Sequence, residues 1–401
     1  MVVPATSRKM LLSRRTAAFL LGSCLVGPAE VFASNRPLTD EIVARSQLST
    51  GDLARLSNVF AKARRGEPIT LGVIGGSITV GAFATTAQNS YSGRLLAWWR
   101  ERFPRCDIKL INAGLGGTGS MYGALRAQKD LLSNLPDFVV VEFAVNDNWT
   151  DAEAFEGLVR QILDQPNFPA VLLLFMMWEK GGNDQEMQAK VGAHYRLPMV
   201  SFRDALWPEM AAGHLKWSDC IVDDVHPTDA GHAAAARFIT TMCDTALNAA
   251  LAGKSGTISP LPPPLYSAAF QHVGWRDATE LDPIENQGWR RVVDDKNVPA
   301  WDCPRAAGRV SFDWSGSGIV VVFAEPPGDL RRIQFCIDGA AFQTLDALKQ
   351  PKRQLFVLAR NLAPGRHTVE LACANDEGAS NAAATVRLLG IASIGVTDDQ
   401  R

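Results

Sequence analysis

The stretch Ile69-Thr70-Leu71-Gly72-Val73-Ile74-Gly75-Gly76-Ser77-Ile78-Thr79 decides the fold. Residues 69–74 read as a buried strand, and the glycine pair after them forces a turn. In an open α/β sheet, the carboxyl ends of the strands are where ligands sit, so this turn lifts the Ser77 hydroxyl into that edge. Further strand-like runs follow at 108–112, 138–145, 170–177 and 199–202. Their apolar residues are nearly continuous rather than alternating, as expected for a parallel sheet covered on both faces. Helical periodicity fills the gaps at 91–102, 121–132, 152–163 and 184–195, and an alanine-rich helix at 230–250 closes the unit. Strand and helix in alternation predict a doubly wound, three-layer α/β sheet. Residues 38–66 read as one leading helix packed onto it.

The pattern changes after a Pro-rich linker at 253–265, which contains Leu261-Pro262-Pro263-Pro264 and predicts a stiff, extended connection. Residues 266–396 hold short β-branched and aromatic runs separated by turn signals such as Pro326-Pro327-Gly328-Asp329 and Ala363-Pro364-Gly365. These predict an all-β sandwich.

The first 33 residues read as a signal peptide rather than as structure. Arg8, Lys9, Arg14 and Arg15 form the basic region, 16–27 the apolar core, and Val31-Phe32-Ala33 a small-residue cleavage site. Ser13-Arg14-Arg15-Thr16 partly matches a twin-arginine signal. Leu21-Gly22-Ser23-Cys24 also resembles a lipoprotein box, a second reading in which Cys24 carries an anchor. Either way the expectation is a periplasmic or secreted protein. No later stretch is long and apolar enough to span a bilayer. With 47% hydrophobic and 20% charged residues, a net charge of −2 and no basic face, the 401-residue chain has the balance of a globular protein and not of a nucleic-acid binder. Six cysteines remain after Cys24, with no metal-like spacing; Cys336 and Cys373 read equally as a cross-strand disulfide or as buried thiols.

Three more segments carry chemistry. Asp223-Asp224-Val225-His226-Pro227 precedes the last helix of the α/β unit. A serine hydroxyl needs a base, and Asp223, three residues before His226, can reach the imidazole within one turn. The competing reading is that this segment only caps the helix, with Thr228 or, in first place, Asp229 as the cap; His232, one turn into the helix, reads as a surface or packing residue. Asn112-Ala113-Gly114-Leu115-Gly116-Gly117-Thr118-Gly119-Ser120 follows the second strand of the unit. Its glycines allow backbone N–H groups to approach developing negative charge. They also spell Gly114-x-Gly116-x-x-Gly119, a dinucleotide fingerprint, although no acid ends the next strand at the spacing such a site requires. Asn146-Asp147 ends the 138–145 run, either as a side-chain amide donor or as plain turn residues.

Together the four segments resemble the SGNH (GDSL-type) hydrolase superfamily over about residues 68–250, and the domain is read as 34–252. The resemblance implies a flavodoxin-like sheet and a serine esterase working through an acyl-serine. It makes Ser77 the nucleophile, Asp223 and His226 the acid and base, and Ser77 N–H, Gly117 and Asn146 the oxyanion donors. Gly76 stands where the family usually has an aspartate, and Ala144 where it usually has a glycine. Gly-x-Ser-x-Gly, the elbow of the ordinary α/β-hydrolases, fails at Thr79. The expected substrate is an O-acetylated carbohydrate, with no cofactor and no metal. Export, the small polar segment 81–90 after Ser77, and the tryptophans Trp149 and Trp178 near the carboxyl edge favour it. The pattern around Leu362-x-Pro364-Gly365-x-His367 resembles the jelly-roll modules of carbohydrate esterase family 2, which makes Trp275, Trp289, Trp301 and Trp314 either sugar contacts or core. Alternatives are a lipid or aryl ester hydrolase, an NAD(P)-dependent oxidoreductase using the Gly114 loop, and a non-catalytic glycan-binding protein.

Overall fold

The computed structural model describes residues 37–253, 257–293, 297–303, 308–324, 333–345, 353–363, 365–373 and 386–395. The signal-peptide region, Cys24 and the turn at 326–329 lie outside the described residues, as does the side chain of Trp149. Among the described residues, no helix is long and apolar enough to cross a membrane.

The chain begins with α1 (Asp40–Ser46), β1 (Gln47–Ser49) and α2 (Ala54–Arg64). The single leading helix expected over 38–66 is therefore two helices interrupted by an edge strand. Gly51, at φ +54°, makes the turn, and a Cβ there would strike Arg196 and Leu197 backbone atoms at 2.3–2.6 Å. The strand pairs antiparallel with residues 199–200. Then follow β2 (Ile69–Gly75), α3 (Ser77–Val80), α4 (Tyr91–Arg102), β3 (Ile108–Gly114), α5 (Ser120–Asp130), β4 (Phe138–Glu142), α6 (Ala152–Leu163), β5 (Ala170–Phe175), α7 (Gln185–His194), β6 (Met199–Ser201), α8 (Phe202–Ala211), α9 (Trp217–Cys220) and α10 (Asp229–Leu251). The sheet order is β1-β6-β5-β4-β2-β3, parallel from β6 to β3. The connection from β2 goes one way to β3, and the chain then crosses back to β4. The switch point therefore lies between β2 and β4, where the strand carboxyl ends open a crevice.

Alternate strand residues serve the two faces. Leu71, Val73, Val140, Leu172 and Leu174 pack against α1, α2, α4, α8 and α10. Ile74, Val139, Val141, Val171 and Leu173 pack against α5, α6 and α7. Covering both faces with helices requires the continuous apolar runs seen in the sequence.

The C-terminal domain is a sandwich of two antiparallel sheets, built from β7 (Val273–Asp277), β8 (Glu285–Gln287), β9 (Arg290–Val293), β10 (Pro299–Cys303), β11 (Arg309–Ser315), β12 (Gly318–Ala324), β13 (Ile333–Ile337), β14 (Gln343–Leu345), β15 (Gln354–Ala359), β16 (Arg366–Cys373) and β17 (Val386–Ile394). One sheet runs β15-β12-β17-β10-β9 with β7 beside β17, the other β14-β13-β16-β11-β8. Within β12, Ile319, Val321 and Phe323 face the sandwich core, whereas Val320 and Val322 join Phe270, Ala392 and Ile394 against the α5/α6 layer. The all-apolar sequence of β12 follows, because this antiparallel sheet is buried on both sides. Trp289, Trp301 and Trp314 are core residues of the sandwich rather than sugar platforms. Trp275 is half-buried and meets the Tyr122 ring edge-on at 5.8 Å. The strand register sets Cys373 opposite Ile333 and Cys336 opposite Glu370, so the disulfide reading fails. The described cysteines form no disulfides.

The Pro-rich segment is extended, but it is strapped down rather than free. The buried Glu156 carboxylate accepts the N–H groups of Leu265, Tyr266 and Ser267 at 2.5–3.0 Å and the Tyr195 hydroxyl at 2.5 Å. Arg160 donates to Pro262 O, and His194 meets Pro263 O. Burial alone would raise the Glu156 pKa, but the Tyr195 hydroxyl and the backbone donors outweigh it and hold the group ionised. Glu156→Ala leaves three backbone donors without their acceptor, at about 2–4 kcal/mol. A lower melting temperature and faster proteolysis between 257 and 267 are the expected results; an unchanged melting curve would show that the strap contributes nothing.

Candidate active site

Ser77 opens α3 directly after β2. Its hydroxyl lies 2.7 Å from His226 Nε2, and His226 Nδ1 lies 2.7 Å from Asp223 Oδ2. The carboxylate can only accept, so Nδ1 carries the proton and Nε2 accepts from the serine. Asp223 is locked by its own loop: Oδ1 accepts the N–H groups of Val225 at 2.9 Å and His226 at 2.8 Å. Burial would raise its pKa, but the His226 ring and these two N–H groups outweigh that and hold it at about 2. The loop is closed by Val222 N–H to His226 O at 2.8 Å, and Trp217 Nε1–H holds Asp223 O at 2.7 Å. The helix cap is Thr228, whose hydroxyl accepts Gly231 N–H. Asp229 does not cap. Its carboxylate turns to the segment after Ser77, taking Thr85 N–H at 2.9 Å, the Thr85 hydroxyl at 2.6 Å and Asn89 Nδ2 at 3.1 Å.

The loops after β3 and β4 close on the serine from the other side. Asn112 staples the first: its Nδ2 donates to Thr79 O at 2.8 Å and its Oδ1 accepts Gly114 N–H at 2.8 Å. Gly116 passes so near that a Cβ there would lie 3.7 Å from Ser77 Cβ. Gly117 has φ +69° and open space around it, so it is glycine for its backbone conformation. Asn146 reaches the serine turn itself. A Cβ on Gly76 would stand 2.3 Å from Asn146 Oδ1, while Nδ2 is the farther atom at 3.1 Å. The φ of Gly76 is an ordinary −84°, so glycine replaces the usual aspartate for space and not for conformation. Trp178 is half-buried, and its loop is tied to the catalytic loop by Glu179 N–H to Asp224 O at 2.9 Å. Trp149 opens the short 3-10 turn Trp149–Asp151 after the Asn146 loop.

Sequence reading missed a second tier of groups. Asp147 is buried and joins elements: Oδ1 accepts Ser120 N–H at 2.6 Å at the start of α5, and Oδ2 accepts from Gln188 at 2.8 Å. Burial and the nearby Asp151 raise its pKa against the pull of those donors. This contact also disposes of the dinucleotide reading. A pyrophosphate would need the N-terminus of α5, and the Asp147 side chain already fills it. His232 is fully buried rather than exposed. Its Nδ1 accepts Tyr91 N–H at 3.3 Å, so Nε2–H donates to Ala82 O at 3.1 Å. Beneath the serine, Thr79 donates to Glu142 Oε2 at 3.1 Å and accepts from the Tyr91 hydroxyl at 2.8 Å. None of these residues stands in a motif of its own; only Asp147, beside Asn146, offered a signal.

A sheet with this switch point, a serine just after its first parallel strand and an Asp-x-x-His loop before the last helix define an SGNH-type hydrolase domain. Residues 73–234 match the GDSL-like Lipase/Acylhydrolase family. The chain is a carboxylic ester hydrolase. Two solved structures of a two-domain esterase active on acetylated mannans resemble it across both domains. The form co-crystallized with mannopentaose is 29% identical, with 88% of this chain and 98% of that chain covered at a TM-score of 0.78. The other form is 28% identical, with 88% and 99% covered at 0.78. A comparison with curated proteins found no match.

Glu142 supplies a pH test. Burial pushes its carboxyl up to about 8, with the Thr79 hydroxyl pulling the other way. Folded protein then keeps a proton that the unfolded chain releases near the ordinary value of 4.5. Stability from this group is therefore lost as pH rises from about 5 through about 8. The melting-temperature difference between Glu142→Gln and the native protein is expected to move in favour of the variant across that window. A constant difference would overturn the assignment.

Proposed function

We propose that the chain is an exported serine esterase that removes O-acetyl groups from a carbohydrate, an acetylated mannan being the first substrate to test. One observation carries the mechanism: Asp223, His226 and Ser77 form an unbroken hydrogen-bonded chain, and the Gly116 loop and Asn146 lie against the serine turn at its end. Ser77 Oγ attacks the acetyl carbon while His226 Nε2 takes its proton. The carbonyl oxygen becomes an oxyanion held by Ser77 N–H, Gly117 N–H and the Asn146 amide. The imidazolium, steadied by Asp223, passes the proton to the sugar oxygen, the C–O bond breaks and acetyl-Ser77 remains. Water then attacks the acyl-enzyme, its proton going to His226 and onward to Ser77 Oγ, and acetate leaves.

The carbohydrate assignment draws on the activity of the two-domain esterase that resembles this chain over both domains. The exported, periplasmic or secreted location draws on the basic, apolar and small-residue order of residues 1–33. Processing after Ala33, read from the N-terminal residue of the protein recovered outside the cytoplasm, tests it; a retained leader overturns it.

Acetate release from a panel of acetylated glycans tests the substrate, and 4-nitrophenyl acetate against octanoate tests acyl length. Faster cleavage of the octanoate would favour a lipid esterase. Ser77→Ala is expected to lose at least about 10³-fold in kcat, and full activity in that variant would falsify the mechanism. Asn146→Ala is expected to lose about 10²–10³-fold. Gly76→Ala, which drives a methyl into Asn146, should fall in the same range without unfolding the domain. If Gly76→Ala keeps native kcat, the contact between the two loops has no catalytic weight.

A further inference from the structure

Phe83 stands out from the segment that follows the nucleophile. It is 55% exposed, its backbone sits at φ +61°, and its ring centroid lies 5.5 Å from the His226 ring at a tilt of 41°. A bulky residue in the left-handed region is strained, and such strain persists only where the surroundings enforce it. Here two residues of α10 enforce it. His232 holds Ala82 O on one side of Phe83, and Asp229 gathers Thr85 and Asn89 on the other. The same helix begins three residues after His226, so aromatic ring and catalytic base are referenced to one rigid element. Burying its own ring does not repay this arrangement, because the ring faces solvent.

We propose that Phe83 is the leaving-group platform of the enzyme, the surface on which the sugar that carries the ester lays its C–H face. The inference rests on the esterase reading above and adds which part of the ester Phe83 touches. The chemistry fixes the side. His226 Nε2 must give its proton to the leaving oxygen, so that oxygen comes within hydrogen-bond reach of the imidazole. The carbonyl oxygen points instead toward Gly117 and Asn146. The group attached to the leaving oxygen is thereby directed to the His226 side, where the exposed aromatic ring waits. Phe83 therefore selects the alcohol half of the ester and not the acyl half.

Steady-state kinetics with paired esters test this. Acetylated mannooligosaccharide and ethyl acetate share the acetyl group and differ in the alcohol. 4-Nitrophenyl acetate and butyrate share the leaving group and differ in the acyl chain. Phe83→Ala is expected to lose about tenfold or more in kcat/KM on the sugar ester, chiefly through KM, and to stay within about twofold on ethyl acetate. The acetate-to-butyrate ratio is expected not to move, and Phe83→Tyr should restore the sugar activity. Phe83→Asn accepts the left-handed backbone, so it removes the ring without adding strain and should match Phe83→Ala. Equal losses on the sugar ester and ethyl acetate would mean that Phe83 only positions His226, and a changed acyl ratio would place it at the acyl group; either overturns the proposal. If the native protein cleaves ethyl acetate but no acetylated sugar, the carbohydrate reading fails by itself. Phenyl acetate against ethyl acetate then decides Phe83, with a selective loss on phenyl acetate supporting the platform and equal losses refuting it.

Discussion

The site depends on one steric constraint: side chains do not fit where the ends of β2, β3 and β4 converge. A Cβ on Gly75 would meet Thr79 and the Glu142 carbonyl at 2.1–2.4 Å, one on Gly76 would meet Asn146, and one on Gly114 would meet the Thr79 and Val80 backbone at 2.5–2.7 Å. Removing those atoms lets the serine turn lie against the Asn146 side chain and the Gly116 loop at once. Oxyanion stabilisation requires donors within about 3 Å of one developing charge, and loops on three strands can converge that closely only if nothing stands between them. The aspartate that usually precedes the serine would not fit against Asn146 as it lies here. Its replacement by glycine is thus matched to the position of Asn146. Ala144, the other departure from the family pattern, is buried, and the turn around it keeps its bonds from Asn146 and Asp147 N–H to Phe143 O.

Beneath these loops lie carboxyl groups whose environment favours their neutral forms. Glu142 is buried at the end of β4 beside Gly75, with Thr79 and Tyr91 as its partners in a polar chain. Asp147 connects α5, α7 and the Asn146 loop. A buried polar group specifies geometry strongly because its hydrogen bonds are costly to leave unmade. Asp147 thus fixes where the Gly117 loop ends and α5 begins, which sets the loop's position relative to Ser77.

Much of this was legible in the sequence, for identifiable reasons. Continuous apolar runs separated by helical periodicity can form little other than a parallel sheet, and the observed sheet has the expected class. Strand ends were less legible: β4 stops at Glu142, although the apolar run continues to Val145, because the chain turns where Asn146 and Asp147 bond back to Phe143 O. The break in the leading helix depended on a tertiary contact at Gly51 that no local pattern announces. The four motif segments pointed to residues that lie together in space. The positioning roles of Asp147, Asp229 and His232 did not show, because these groups act through partners dozens of residues away. Phe83 was hidden by its surroundings, since 81–90 is small and polar on average and an average conceals one exposed ring. For the sandwich tryptophans the sequence left sugar contact and core packing open, and burial decides for core at Trp289, Trp301 and Trp314.

The two domains bear on the two halves of the site unequally. His226 and the Phe83 segment are anchored to α10, in the layer that packs on α2 and α4 and is away from the sandwich. The Gly117 loop leads into α5, and the Asn146 loop leads into α6; α5 packs on β7, and both helices share one apolar cluster with residues of β12 and β17 of the sandwich. Lys129 at the end of α5 binds Asp277, and Glu153 at the start of α6 binds Arg360. Gly157 of α6 lies so close to Phe270 that a Cβ would come within 2.3 Å. The C-terminal domain is therefore a buttress for the helices that follow the Gly117 and Asn146 loops, while the His226 loop leads into a helix on the other face of the sheet. Changes at the domain interface reach the Gly117 and Asn146 loops before the His226 loop. That ordering follows from which helix each loop leads into, and it assigns the sandwich a mechanical role.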